Sequence, residues 1–276
     1  MRLCVIGNPI EHSVSPNIHA GFLNSLGIKN FSYEAICLEK NELHGFIGKM
    51  RNGEYDGANV TLPYKIDIIE LLDEISENAR LIGSVNTIAK KGELICGYNT
   101  DRNGFGRQLD YDDIDIFDKT IAILGSGGVS RSVLCEILDR GPRKVNIYNR
   151  SLSNAKNLAN NFSGNVDIFL LDDFTAEGAD IIINTTSVGM APDVKACPVS
   201  NLDGITPETI VIDLIYSPEK TKLLELAENF NCKVYNGAKM LIYQAIASEL
   251  IWQDKEIDDI DEIAKKIAKE VGLKWE

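Results

Sequence analysis

T-I-A-I-L-G-S-G-G-V-S-R-S-V-L-C-E-I-L-D-R-G-P-R-K-V-N-I-Y-N-R-S, Thr120 to Ser151, is the stretch on which the fold turns. Ile121 to Leu124 is a short apolar run of the kind buried inside a parallel sheet. Gly125-Ser126-Gly127-Gly128 follows at once, and Val129 to Leu138 then carries Val133, Leu134, Ile137 and Leu138 at helical spacing. Gly141-Pro142 ends that helix, and Lys144 to Asn149 reads as a second strand. The result is a βαβ unit with its glycines at the strand-to-helix turn. There Gly125, Ser126, Gly127, Gly128 and Val129 can present backbone N–H groups to a pyrophosphate, at the positive end of the helix dipole. Ser130 replaces the third glycine of G-x-G-x-x-G, so the pattern is met only in part. A tight structural turn is the alternative.

The end of the second strand selects the nucleotide. An NAD site usually has Asp or Glu about 20 residues beyond the glycines, accepting from the ribose 2′-hydroxyl. Here Asn149, Arg150 and Ser151 occupy that region. An amide does not repel a 2′-phosphate, and a guanidinium can pair with it and stack on adenine. NADP is favoured, against the alternative of a solvated surface arginine.

At 276 residues the chain can hold two domains, and its 44% apolar and 25% charged residues are ordinary for a globular protein. The net charge of −13 argues against nucleic-acid and membrane-surface partners, whose phosphates would be repelled. No apolar run approaches the ~20 residues of a membrane helix, and Leu3 to Ile6 is too short for a signal peptide. The six cysteines form no C-x-x-C pair, and His12, His19 and His44 show no metal-ligand spacing. Buried thiols in a reducing compartment, a cytoplasmic location and no metal are expected.

Along the chain, Leu3 to Ile6 reads as the first strand. His12-Ser13-Val14-Ser15-Pro16 reads as an extended lead into a helix of about ten residues, with Ser13 and Ser15 on one side; Ser15 as a helix cap is the alternative. His19 falls on the face of Phe22 and reads as a packed histidine. Phe31 to Cys37 is a strand, Asn41 to Lys49 a helix and Gly57 to Val60 a strand. The last ends in Asn59-Val60-Thr61-Leu62-Pro63-Tyr64-Lys65, and ligands collect at the carboxyl ends of strands in open α/β sheets. Thr61 and Lys65 are therefore candidate site residues. Pro63 and Tyr64 are expected to open a helix with Ile66, Ile69 and Leu72 as its apolar face. A lysine in its first turn would be opposed by the helix dipole; a solvated Lys65 is the alternative.

A helix through Ala79 to Ile82 and strands Val85 to Lys90 and Glu93 to Tyr98 follow. Asn86 and Asp101 lie at strand ends in polar, Gly-flanked turns, with capping or an Asx-turn as the alternative for each. Beyond the βαβ unit the alternation continues through a helix, Leu152 to Asn160, and strands Val166 to Leu170 and Ala179 to Asn184. Strand Ile210 to Leu214, helix Leu223 to Phe230 and a last strand Lys233 to Tyr235 complete it. Gly237 is expected to open a long helix, and Ile257 to Val271 another.

The order of these motifs resembles that of the shikimate dehydrogenase family, over nearly the whole chain. Ser13-x-Ser15-Pro16 resembles its substrate-carboxylate serines, and Asn59-Val60-Thr61-x-Pro63-x-Lys65 the segment with its catalytic lysine. Gly83-x-x-Asn86-Thr87 and Asn99-Thr100-Asp101-x-x-Gly104 are similar to its substrate-ring contacts, the second bringing the catalytic aspartate. Gly125-x-Gly127-Gly128 and Asn149-Arg150-Ser151 resemble its NADP loop and 2′-phosphate clamp. Asn184-x-Thr186-x-x-Gly189-Met190, Asp213-x-x-Tyr216-x-Pro218 and Gly237-x-x-Met240-Leu241-x-x-Gln244 complete the set.

The resemblance implies an α/β fold of two domains with a cleft between them. A substrate domain would comprise residues 1–101 plus 237–276, and a Rossmann-type NADP domain residues 102–236. It implies reversible reduction of 3-dehydroshikimate to shikimate with NADPH, in chorismate and aromatic amino-acid biosynthesis. Lys65 would be the acid/base, paired with Asp101. Ser13, Ser15, Thr61, Asn86, Tyr216 and Gln244 would bind the substrate. Thr186 and Leu214 would contact the cofactor, and Met190 and Gly237 would border its nicotinamide. A monomer or homodimer acting on a small molecule is expected.

Two positions depart from the family pattern. Asn154 is uncharged where members often carry a second base, leaving the 2′-phosphate to Arg150 and Lys156, and Ala20 stands where many have Asn. An NAD-using quinate/shikimate dehydrogenase and a non-catalytic NADP-binding regulator of the same fold are the alternative readings.

Overall fold

The structure, a computed structural model, describes residues 1–10 and 13–275; His12 lies outside them. The chain divides into two compact units, one of Met1–Phe105 with Ile242–Glu276 and the other of Gly106–Leu241.

The first unit is built on a mixed six-stranded sheet. In chain order its strands and helices are β1 (Arg2–Gly7), α1 (Ser15–Ser25), β2 (Ser32–Cys37), α2 (Leu43–Arg51) and β3 (Gly57–Val60), followed by β4 (Glu74–Ile75), α3 (Glu77–Ile82), β5 (Thr87–Lys91) and β6 (Leu94–Tyr98). The order across the sheet is β2-β1-β3-β5-β6-β4. β1 pairs in parallel with β2 and β3, whereas β3–β5 and β5–β6 are antiparallel. Cys4, Ile6, Phe46, Met50, Val60, Ile68, Ile88 and Ile95 form one buried apolar cluster against the sheet. Each large apolar side chain so buried contributes about 1.5–3 kcal/mol relative to exposure.

Two expectations about this unit are corrected. Val14 has helical φ and ψ of −85° and −4°, and Ser15 is already the first helical residue, so Ser13 and Ser15 do not lie in an extended stretch. Nor does Ser15 cap the helix, because Val14 holds the cap position without a side-chain bond. The segment after β3 is no α-helix. It turns at Leu62–Ile66 and forms only a short 3₁₀ helix, Asp67–Leu71, that buries Ile68 while Ile66 is exposed. The cause is tertiary: the Lys65 carbonyl accepts from Val85 N–H at 2.8 Å, and Asp73 N–H donates to the Ile95 carbonyl at 3.0 Å. These bonds draw the chain into the pairing of β4 with β6 before a second helical turn can close.

Helix α4 (Asp101–Tyr111) leads into the second unit, whose strands are β7 (Thr120–Leu124), β8 (Lys144–Asn149), β9 (Val166–Leu170), β10 (Ile181–Asn184), β11 (Ile210–Asp213) and β12 (Lys233–Asn236). All six are parallel, in the order β12-β11-β10-β7-β8-β9. Helices α5 (Gly128–Asp139), α6 (Leu152–Ala159) and α7 (Lys222–Glu228) make crossovers. This is the doubly wound Rossmann order, with its switch point between β7 and β10. Helix α8 (Ala238–Gln253) runs back into the first unit, where α9 (Ile260–Glu270) packs on α1: the Gly21 Cα faces Ile267 and Glu270. Asp259 caps α9 by accepting from Glu262 N–H at 3.3 Å, so Ile257 lies before the helix.

Candidate active site

In the first unit the turn after β3, the start of β5, the start of α4 and helix α8 bring four predicted residues into contact. Lys65 Nζ lies 2.6 Å from Asp101 Oδ2, with side chains only 14% and 6% exposed. Asn86 Nδ2 donates to Asp101 Oδ1 at 2.9 Å and to Gln244 Oε1 of α8 at 3.2 Å. The orientation of the Asn86 amide is fixed by its other end, since Oδ1 accepts from the Thr100 backbone N–H at 2.7 Å. That bond spans fourteen residues, so Asn86 does not form the local Asx-turn held open as its alternative. Asp101 does not cap α4 either; Asn99 Oδ1 accepts from Arg102 N–H at 3.2 Å.

Lys65 is thus an ammonium held by a carboxylate that is itself held by an amide, not a solvated surface lysine. The charge-assisted contact fixes the position of Nζ, and the low exposure of both groups strengthens their attraction relative to water. Thr61 lies at the end of β3, where its methyl packs against Gly7, in a space that a side chain at position 7 would fill. Ser13 Oγ accepts from Ser15 N–H at 3.3 Å, a contact local to the start of α1. His19 is a packed residue as expected, fully buried, stacked on Tyr33 at 4.2 Å and bonded to Glu249 at 2.8 Å.

In the second unit the glycine turn lies between β7 and α5. Gly125 has φ +107°, and a Cβ there would fall 2.8 Å from Thr185 Oγ1 and 2.9 Å from Thr186 Cγ2. No side chain fits on both counts. Gly127, by contrast, faces open space. Ser130 explains the incomplete motif: its hydroxyl lies 2.7 Å from Thr185 Oγ1, which donates to the Leu124 carbonyl at 2.7 Å. A hydrogen bond here draws helix and sheet together where the third glycine would allow closer packing.

The neighbouring strand ends are joined through Asp213, a residue to which the sequence reading gave no role of its own. Its Oδ1 accepts from Asn184 Nδ2 at 2.9 Å and from Ile215 N–H at 3.1 Å, and its Oδ2 accepts from Thr221 at 2.6 Å. Burial raises its carboxyl to about 6, despite these three donors pulling it down. Asn184 Oδ1 in turn accepts from the hydroxyl of Thr186 at 2.7 Å. Gly237 packs directly on Leu214, whose carbonyl oxygen would lie 2.0 Å from a Cβ at position 237. Met190 is exposed, and Tyr216 is half-buried, its phenol pushed up by burial. Asn149 Nδ2 donates to the Ser151 carbonyl at 2.9 Å and Ser151 caps α6, leaving the Arg150 side chain exposed beyond β8.

An open glycine turn at a helix N-terminus, at the switch point of a parallel sheet, fits a dinucleotide. No group of three or more His, Cys, Asp or Glu suited to a metal occurs among the described residues, and no described helix is long and apolar enough to cross a membrane.

Residues 5–88 match the family model of the shikimate dehydrogenase substrate binding domain, and residues 110–214 that of shikimate / quinate 5-dehydrogenase. The shikimate dehydrogenase (NADP(+)) of Caldicellulosiruptor saccharolyticus is 38% identical over 92% of this chain and 92% of its own. The chain belongs to the shikimate dehydrogenase family. Solved members share its architecture. A shikimate dehydrogenase in complex with NADP+ superposes with a TM-score of 0.89 at 35% identity, over 98% of this chain and 95% of the other. The Listeria monocytogenes shikimate 5-dehydrogenase, in complex with shikimate and NAD, gives 0.85 at 30% identity over 96% and 95%.

Proposed function

We propose that this family member is an NADP-dependent shikimate dehydrogenase, an oxidoreductase that reversibly reduces 3-dehydroshikimate to shikimate on the route to chorismate and the aromatic amino acids. The observation that carries the reading is the Lys65–Asp101–Asn86 cluster at the strand ends of one unit, in a chain whose other unit has a dinucleotide turn. The substrate domain is residues 1–101 with 237–276, and the NADP domain residues 102–236.

NADPH, when bound, supplies the hydride. Gly125 to Val129 would hold its pyrophosphate, Asn149, Arg150 and Ser151 its 2′-phosphate side, and Thr186, Met190, Leu214 and Gly237 its nicotinamide side. The chain's own task is to stabilise and protonate the oxygen that becomes an alkoxide as the ketone is reduced. Lys65 is the donor: its ammonium gives a proton to that oxygen, and in the oxidative direction its amine takes the proton back. Asp101 keeps Nζ in place and binds a ring hydroxyl, so that the reacting oxygen meets an oriented donor. Ser13 and Ser15 bind the substrate carboxylate; Thr61, Asn86, Tyr216 and Gln244 bind carboxylate or ring hydroxyls. The absence of a disulfide among the six cysteines suits a reducing cytoplasm.

One observation favours a second reading in which NAD is also used. Arg150 is the exposed base of the clamp, and Asn154 adds no second charge. The test crosses shikimate and quinate with NADP+ and NAD+, following the reduced-nicotinamide absorbance band. Turnover with shikimate and NADP+ far above the other three pairs supports the proposal. Comparable rates with NAD+ or quinate would move the chain to the broader quinate/shikimate group. No turnover in any pair would leave a dinucleotide-binding regulator.

A further inference from the structure

Behind the Lys65 cluster a second set of polar groups is packed into the first unit, and the mechanism above does not use it. Asn59, Thr87, Thr100 and Ser248 are all buried, the threonines and the serine with 0–1% of their surface exposed. Ser248, one helical turn beyond Gln244 on α8, is where they meet. Its hydroxyl accepts from Asn59 Nδ2 at 3.0 Å and lies 2.8 Å from Thr87 Oγ1 and 3.1 Å from Thr100 Oγ1, with the Gln244 carbonyl at 3.0 Å as an alternative acceptor for its one proton.

Those two threonines are the groups that hold Asn86 from behind. Thr87 donates to Asn86 Oδ1 at 3.1 Å, and Thr100 Oγ1 accepts from Asn86 Nδ2 at 2.9 Å. Asn59 is locked as well, with Nδ2 on the Asn86 carbonyl at 3.2 Å and Oδ1 accepting from Tyr33 at 2.7 Å. A single hydroxyl therefore ties three elements, β3, α8 and the β5–α4 corner, to the amide that orients Asp101. Buried hydroxyls without partners are costly, so a fully satisfied set of this kind favours one arrangement over its neighbours.

We infer that Ser248 is a positioning residue for the reaction, acting through Thr87 and Thr100 on Asn86 and so on the Lys65–Asp101 pair. The inference rests on the proposed dehydrogenase reading. It differs from a purely structural role in its consequence: loss of the hydroxyl should disorder the Asn86 amide and lower the efficiency of shikimate turnover without touching the dinucleotide.

The test uses the full chain with Ser248→Ala, Asn86→Ala, the double variant and the isosteric Thr87→Val. Measured are kcat and KM for shikimate at saturating NADP+, equilibrium binding of NADP+, and Tm. Ser248→Ala is expected to lower kcat/KM for shikimate about tenfold, the scale of one or two buried hydrogen bonds, with NADP+ affinity unchanged. Thr87→Val should do the same. In the Asn86→Ala background Ser248→Ala should cost no more than about twofold, the non-additivity of residues acting through one another. Wild-type kcat/KM in a Ser248→Ala protein of lowered Tm would overturn the inference, as would full additivity with Asn86→Ala. If Ser248→Ala does not fold, wild-type turnover by Thr87→Val overturns it alone. A wild-type chain without shikimate turnover would instead overturn the functional reading, and this inference with it.

Discussion

Asn86 Nδ2 donates to Asp101 Oδ1 at 2.9 Å while Lys65 Nζ occupies the other carboxylate oxygen at 2.6 Å. Asp101 is thereby gripped on both sides, and replacing it tests whether its charge or only its shape matters. Asp101→Asn keeps one acceptor but places an NH₂ against either the Lys65 ammonium or the Asn86 amide, donor against donor. It is expected to lower kcat by two orders of magnitude or more, within the range of about 10²–10⁴ for a positioned acid–base group. Steady-state rates with shikimate and NADP+ check this; a loss of less than threefold would remove Asp101 from the mechanism.

Arg150 tests the nucleotide preference. Arg150→Ala should raise KM for NADP+ about tenfold or more, as a charge-assisted hydrogen bond is lost, and leave KM for NAD+ within about twofold. Equal changes for both cofactors would show that Arg150 does not read the 2′-phosphate.

Asp213 makes the second unit sensitive to pH. Its carboxyl stands at about 6 in the folded chain against an ordinary value of 3.8, because burial disfavours the charge. The folded state therefore binds the proton more tightly than the unfolded state. Its stability contribution is full below about pH 4 and is lost as pH rises through about 6. Asp213→Asn can keep Oδ1 as acceptor for Asn184 and Ile215 while its NH₂ donates to the Thr221 hydroxyl. Urea unfolding of the two proteins from pH 4 to 7 should show the wild type losing up to about 3 kcal/mol relative to Asp213→Asn over that window. Parallel curves would refute the assignment.

Glu249 and His19 are both fully buried and 2.8 Å apart, and Gln253 donates to the other Glu249 oxygen at 2.9 Å. Glu249→Ala strands the imidazole in the core and should cost about 1–3 kcal/mol, the scale of a buried polar group left without its partner. Glu249→Gln retains an acceptor and should cost less than half as much. Denaturant midpoints give both numbers, and equal losses would mean that the packing, not the polar contact, matters.

Much of this was legible in the sequence where local pattern and final fold agree. β3 and β8 run over Gly57–Val60 and Lys144–Asn149, the bounds expected of them from the sequence. Lys65, Asp101, Asn86 and Gln244 stood in motifs, and the structure brings them together. What stayed hidden depends on distant parts of the chain. The helix expected after Pro63 gives way to pairing with residues 85 and 95, which no local periodicity reports. Ser130 looked like a defect in the glycine pattern until its partner Thr185, 55 residues away, was in view. Ser248 is 161 residues from Thr87, and an isolated serine on a helix carries no signal of such a contact.

The most direct measurement is steady-state turnover of the wild type and Lys65→Ala with shikimate and NADP+, read at the reduced-nicotinamide band, beside NADP+ affinity for each. The wild type should turn over, and Lys65→Ala should lose about 10²–10⁴ in kcat with unchanged NADP+ affinity. Near-wild-type kcat in Lys65→Ala would contradict the assignment of Lys65 as acid/base, whatever the cofactor.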